Sequence, residues 1–313
     1  MKYLFFDCEC ANCYDHEGKI CSFGYVITDE SFRLLEEKDI IINPNAPFDP
    51  HVLGQGSNSI DLAYTPLRFQ TAEKFPYHYQ TIVSLLTDPE TKVFGYAIEN
   101  DIGFLISECH RYNLVMPSFD YCDIQEIYRL YANYERSPSM EDGLKDLKVP
   151  YDDFEGHESK DDAKMSMLLL RAIMEASNTN LDGLLQGYPS SLGQVALSLI
   201  QDQLDHLPPR QIAVPYDREA YFGFNHLIYS WVDDPIDNRL EGYGFIFSPL
   251  LRKDSQNALK LGEFILSHRG YIVRNLRETS YYVVYDEEEK KLVEPLFVST
   301  KIAVISADEV GHI

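Results

Sequence analysis

The chain has 313 residues, 45 % hydrophobic and 25 % charged, the balance of a soluble folded protein of about two domains rather than a disordered or membrane-spanning one. Its 27 Lys+Arg against 50 Asp+Glu leave a net charge of −23, of which residues 1–178 carry −16 and the remainder −7. Such a surface speaks against a high-affinity polyanion binder, because steering and counterion release need clustered cations, but it leaves room for an enzyme that meets an anionic substrate through metal ions in a local groove.

Met1 to Phe6 meets Asp7 too soon for the apolar region of a signal peptide. The most apolar helical stretch, around Met165–Met174, is interrupted by Arg171 and is too short to span a bilayer. Six cysteines without a secretory signal read as reduced thiols. The cytoplasm is the expected location.

Residues 2–8 are almost continuously apolar, as a buried central strand is. Ile20–Thr28, rich in Phe, Tyr, Val and Ile, predicts a second strand. Asp29-Glu30-Ser31 turns it into a third, which ends at Ile40-Ile41-Ile42 and is stopped by Asn43-Pro44-Asn45. Residues 45–70 bear Pro, Gly and Ser with weak periodicity and predict a long functional loop. A helix follows through Tyr79–Leu86, then a strand at Val93-Phe94-Gly95-Tyr96 and a helix over Asp101–Leu114. A short strand at Phe119–Cys122, a helix from Ile124 to about Tyr134 and an apolar helix over Ser159–Met174 complete this part. Three strands followed by alternating helix and strand predict an α/β fold with a mixed five-stranded sheet covered on both faces.

Leu184–Leu204 predicts a helix, broken by Leu207-Pro208-Pro209-Arg210, and residues 211–238 are aromatic and irregular, with no assignment. From Gly242 the pattern regularises. A strand at Tyr243–Phe247, a helix at Ser255–His268, and strands at Tyr271–Arg274 and Tyr281–Tyr285 are followed by a hairpin turn over Asp286–Lys291 and a last strand near Ile302–Ile305. This βαββ order predicts a second, smaller α/β domain. The expected division is therefore 1–178, a connecting region at 179–241, and 242–313.

Chemistry concentrates in three short stretches: Asp7 and Glu9 at the end of the first strand, Asp101 after Gly95-Tyr96-Ala97-Ile98-Glu99-Asn100, and His157 with Asp162 in His157-Glu158-Ser159-Lys160-Asp161-Asp162-Ala163. Side chains alternate along a strand, so Asp7 and Glu9 share one face while Phe6, Cys8 and Cys10 share the other. Acids at every second position of a buried strand are expensive unless they bind something. Four carboxylates brought together repel by roughly 1 to 4 kcal/mol per pair at about 4 Å, and divalent cations relieve that. Cys8, Cys10, Cys13 and Cys21 invite a zinc reading, but Cys8 and Cys10 point to the core face of the first strand and Cys21 begins the second, where buried free cysteines are common; Gly54-Gln55-Gly56-Ser57-Asn58 lacks the strand and helix that a phosphate loop requires.

Phe-Asp-x-Glu, then Asp101, then His157-x4-Asp162-Ala163 entering an apolar helix resembles the DEDDh exonucleases, the superfamily of the DnaQ-like proofreading subunits and RNase T, on a ribonuclease H-like fold. The resemblance covers residues 1–178, with 94 residues from Asp7 to Asp101 and 61 from Asp101 to Asp162. It implies a 3′→5′ exonuclease that releases nucleoside 5′-monophosphates from DNA or RNA 3′ ends. It implies Asp7, Glu9, Asp101 and Asp162 as ligands of two Mg²⁺ or Mn²⁺ ions, with Asp7 bridging them. It also implies His157, on a loop after Gly156, as the general base. Oxygen ligands suit those metals, two ions about 3.5–4 Å apart clamp both oxygens of an in-line displacement, and a histidine near pKa ~6.5 can take a proton at neutral pH. Cys10-Ala11-Asn12 stands where relatives carry Thr-Thr-Gly, so substrate choice does not carry over.

Residues 242–313 resemble a BRCT module through Gly242-Tyr243-Gly244-Phe245-Ile246-Phe247-Ser248, Arg269-Gly270-Tyr271-Ile272-Val273 and Ser280-Tyr281-Tyr282-Val283-Val284, with Trp231 the only tryptophan in the chain. That resemblance implies a protein partner held through the C-terminal domain. Two other functions stay open: a non-catalytic scaffold or end-binding protein, and a ribonuclease trimming small RNAs.

Overall fold

The computed structural model describes every residue except 15, 16, 57, 58, 152, 153, 155 and 156. Ser57 and Asn58 of the glycine-bearing loop, and Gly156 before His157, thus lie outside the described residues. The chain divides into two compact units, Met1–Leu199 and Ile200–Ile313. No described helix is long and apolar enough to cross a membrane.

In the first unit β1 (Lys2–Cys10), β2 (Ile20–Asp29) and β3 (Leu34–Ile41) form an antiparallel meander. The segment expected as a loop over 45–70 contains a 3₁₀ turn at Pro50–Val52 and a short helix, α1 (Pro66–Gln70), started by the Thr65 side chain. After α2 (Phe75–Leu86), β4 (Thr91–Gly95) adds parallel to β1. After α3 (Glu99–Arg111), β5 (Asp120–Asp123) adds parallel to β4. The chain continues through α4 (Ile124–Tyr131), α5 (Met140–Asp146), α6 (Ser159–Ala176) and α7 (Leu181–Gly187).

The mixed α/β class is as expected, but the sheet has six strands, not five: β6 (Leu192–Gln194) pairs antiparallel with β5 before α8 (Val195–Asp205), giving the order β3-β2-β1-β4-β5-β6. The extra strand interrupts the single helix expected over 184–204. Gly193 explains it, since a Cβ there would come within 2.2 Å of Tyr121 Cζ and only glycine lets the strand lie against that ring. Residues 179–199 pack within the first unit, where Leu181 and Leu184 are buried.

Strand alternation sorts the core onto the two faces of the sheet. Leu4, Phe6 and Cys8 point to one side, with Ile82, Ile102 and Leu105 from the helices. Tyr3 and Phe5 point to the other, with Tyr128, Leu169, Leu170 and Ile173. Phe5 stacks on Phe94 of the neighbouring strand at 5.1 Å. β3 forms one edge, and its Leu34 to Lys38 stretch is exposed.

The second unit carries α9 (Arg218–Leu227) in the unassigned stretch, where Phe224 is buried and stacks on Phe247 at 5.1 Å. β7 (Gly244–Phe247), α10 (Pro249–Lys253), α11 (Ser255–Ser267), β8 (Tyr271–Ile272) and β9 (Tyr281–Val284) follow. The run expected as a hairpin turn is instead helix α12 (Glu287–Val293), and β10 (Ala303–Ser306) returns parallel to β9, giving a parallel sheet in the order β10-β9-β7-β8. The Asp286 side chain accepts the N–H of Glu288 and Glu289, and three glutamates then stand in the first turn. A capping aspartate and acids at the positive end of the dipole favour helix over turn.

Candidate active site

The site lies at the carboxyl end of β1, beside the start of α3, where the chain leaves the parallel strands. Asp7 and Glu9 alternate on the same face as Tyr3 and Phe5, and are half-buried while Phe6, Cys8 and Cys10 are buried. The register of β1 against β2 shifts between Glu9 and Cys10, so the pairing becomes irregular just after the second acid. Cys8, Cys10 and Cys21 are buried and Cys13 is exposed, all with free thiols.

Asp101 arrives from α3. Ala97 adopts a left-handed φ of 53° in the turn after β4. The Ala97 N–H is held by Asp123 Oδ1 at 3.1 Å, an oxygen that also accepts the Gln125 N–H at the start of α4. That turn sets Asp101 in the first turn of α3, where its Oδ1 accepts the Cys8 N–H at 3.0 Å. Asp101 is only 4 % exposed.

His157 and Asp162 come with the N-terminus of α6. This helix reaches the sheet because Gly24 of β2, the residue paired with Asp7, has no side chain: a Cβ there would lie 2.0 Å from Lys160 N. The Ser22 and Ser159 hydroxyls share a hydrogen bond at the same contact. His157 has a left-handed φ of 63° and sets Nδ1 3.3 Å from Glu9 Oε1, with its side chain 43 % exposed.

The structure brings Glu9, His157 and Asp162 together most tightly, with one ligand atom from each within 4.8 Å of the others. Asp7 joins them electrostatically. Burial, then Asp101, Asp162 and Glu9, push its carboxyl well above the usual carboxylate range. Asp101 is raised well by burial, against the Cys8 N–H. Asp162 is pushed up to about 7 by burial and then by Glu9. Its hydrogen bond to Glu9 raises the His157 imidazole. Four carboxylates with one imidazole fit a hard divalent cation.

Several contributors carried no flag as site residues. Asp123 holds the turn before Asp101, and Tyr64 donates its hydroxyl to Glu158 Oε1 at 2.7 Å. Asp39 lies beside Tyr64 with both carboxylate oxygens buried and outside hydrogen-bond geometry to the described residues, and burial pushes it up to about 6. Gly24 had a legible signal, because an isolated glycine inside a strand marks a close approach.

A carboxylate cluster at the carboxyl end of a mixed α/β sheet is chemically able to hold a divalent cation, on a fold of the ribonuclease H-like kind. The RNase_T exonuclease model matches residues 4–170, more than half the chain; the protein belongs to that exonuclease family and is a nuclease by class. Curated protein sequences give no match. Similar solved structures include a 3′-exonuclease in specific recognition of the histone mRNA stem-loop, at 16 % identity over 57 % of this chain and 83 % of that one, TM-score 0.49. The nuclease domain of 3′hExo, a DEDDh family member bound to rAMP, is 17 % identical over 57 % and 93 %, TM-score 0.48. E. coli exonuclease I in complex with a dA16 oligonucleotide is 16 % identical over 59 % and 42 %, TM-score 0.45.

Proposed function

We propose that the first unit is a metal-dependent 3′→5′ exonuclease that removes nucleoside 5′-monophosphates from DNA or RNA 3′ ends. The observation that carries this reading is the meeting of Glu9, His157 and Asp162 within 4.8 Å, beside Asp7 and Asp101. Asp7, Glu9, Asp101 and Asp162 would hold two Mg²⁺ or Mn²⁺ ions, which when bound neutralise charge developing on the scissile phosphate. Asp101 is preset by the Cys8 N–H, so that ligand needs no reorganisation.

His157 is the proton acceptor in this reading. With Nδ1–H donated to Glu9 at 3.3 Å, Nε2 is the nitrogen left to take a proton from the attacking water. The water oxygen bonds to the terminal phosphorus, the bond from phosphorus to the 3′ oxygen of the preceding nucleotide breaks, and that oxygen leaves on the shortened strand. The imidazole is half-exposed, so water reaches it.

Purified protein with 3′-labelled single-stranded DNA, duplex DNA and RNA should shorten at least one of them stepwise in Mg²⁺ or Mn²⁺ and none in EDTA. Asp7→Ala should abolish the shortening. An Asp7→Ala protein with undiminished activity would overturn the assignment. For the second unit, Ile200–Ile313, whose parallel sheet carries α9 packed through Phe224 on Phe247, we propose an accessory domain that engages a protein partner.

A further inference from the structure

The segment between β3 and α2 reaches across to the histidine and holds it at two consecutive residues. The Ala63 N–H donates to the His157 carbonyl at 3.4 Å, and the Tyr64 hydroxyl donates to Glu158 Oε1 at 2.7 Å. Lys160 Nζ lies 3.2 Å from the same Glu158 oxygen. Glu158 is the residue before α6, and its carbonyl accepts the N–H of Asp161 at 2.8 Å and of Asp162 at 3.0 Å. One side chain therefore sits between the base and an acid of the cluster, and Tyr64 grips it.

The other end of the grip is rigid. Tyr64 meets Phe69 edge-on at 5.9 Å, Phe48 lies 5.5 Å from Phe69, and Phe69 is buried with Ala11, Cys21 and Leu62. The Asn12 amide donates to the Pro47 carbonyl at 2.6 Å, and the Asn43 amide to the Gln70 carbonyl at 2.7 Å. This small core is built on the residues that follow Glu9. Meanwhile His157 sits at φ 63°, a conformation that a histidine keeps only where its surroundings over-determine it.

We propose that Tyr64 is a positioning residue for the histidine base: by latching Glu158 it fixes the left-handed turn at His157 and makes the stretch from Ala63 to Gln70 part of the catalytic unit. This rests on the exonuclease reading above. The latch acts on orientation, so it changes turnover rather than strand binding.

The test is a double-mutant cycle on the full chain with Mn²⁺ and a 3′-labelled oligonucleotide, paired with hydrogen exchange on the metal-free protein. Tyr64→Phe removes the hydroxyl and keeps the ring. It should lower kcat about tenfold, the effect of one hydrogen bond's worth of ordering, with KM within about twofold. Glu158→Ala should match it, the double variant should be no slower than the slower single, and Glu158→Gln, whose amide oxygen still accepts the hydroxyl, should keep wild-type turnover. In EDTA, exchange in residues 157–160 should rise in Tyr64→Phe while β1 is unchanged. Wild-type kcat and exchange in Tyr64→Phe, or losses that multiply in the double variant, would overturn the latch. A wild-type protein that cuts no oligonucleotide sinks the exonuclease reading instead, and the exchange comparison then decides the latch alone.

Discussion

Replacing Asp162 by Asn should stabilise the metal-free protein while abolishing its metal-dependent activity. Burial and Glu9 hold the Asp162 carboxyl up at about 7 instead of 3.8. At about 1.4 kcal/mol per pH unit, ionising it inside the fold costs at most about 4 kcal/mol, and solvent screening of this partly buried group reduces that to roughly 2 kcal/mol. Because the folded value is raised, full stability is present below 3.8 and is lost as pH climbs through about 7. Asparagine carries no charge and still accepts the hydrogen bond from the His157 backbone, so the variant escapes that loss. Calorimetry in EDTA at about pH 8 should place the Asp162→Asn transition roughly 4–8 °C above wild type, at about 2–4 °C per kcal/mol. The two should converge near about pH 4, where the wild-type carboxyl is protonated. Mn²⁺ at about a hundred times its dissociation constant should reverse the order, since the wild type gains about 2.7 kcal/mol that the variant lacks. A variant no more stable than wild type in EDTA at the higher pH would refute the picture of carboxylates held against their mutual repulsion.

Other expectations follow from the same geometry. His157→Ala should keep Mn²⁺ binding, read by calorimetric titration, and lose about 10²–10⁴-fold in kcat, as removal of a positioned base does. Gly24→Ala should cost at least about 2 kcal/mol by chemical denaturation, because the new methyl meets backbone rather than a movable side chain. Asp123→Ala should lower stability by about 1–2 kcal/mol through the lost cap on α4, and should lower kcat because the turn before Asp101 loosens. In the second unit, Asp286 is held down at about 2 by Arg210 and keeps its contribution above 3.8; Arg210→Ala should therefore lower stability only slightly at neutral pH, as loss of an exposed pair does. The difference should vanish as pH falls through about 2, in denaturation curves followed across that range.

The first unit was legible wherever burial imposes a period. β1 reads as an apolar run with acids at alternate positions, and α6 as an apolar helix behind His157 and Asp162, while Asp101 stands out only through the family resemblance; of these residues the structure groups Glu9, His157 and Asp162 within 4.8 Å. What stayed hidden depends on contacts far apart in sequence. Tyr64 and Glu158 are ordinary polar residues until the chain folds, 94 positions apart. A strand of three residues such as β6 is too short to show alternation, and its signal is the single Gly193 under the Tyr121 ring. The acidic run after Asp286 resembles a solvated turn because charge dominates it, while the local logic of a capped helix start is stronger.

The outer strand β3 ends the sheet. Glu36, Glu37 and Lys38 line its rim, with Glu37 tied to Lys164 of α6 at 2.8 Å. Charged side chains there make a poor template for a neighbouring backbone, so this rim is guarded against pairing with a second sheet.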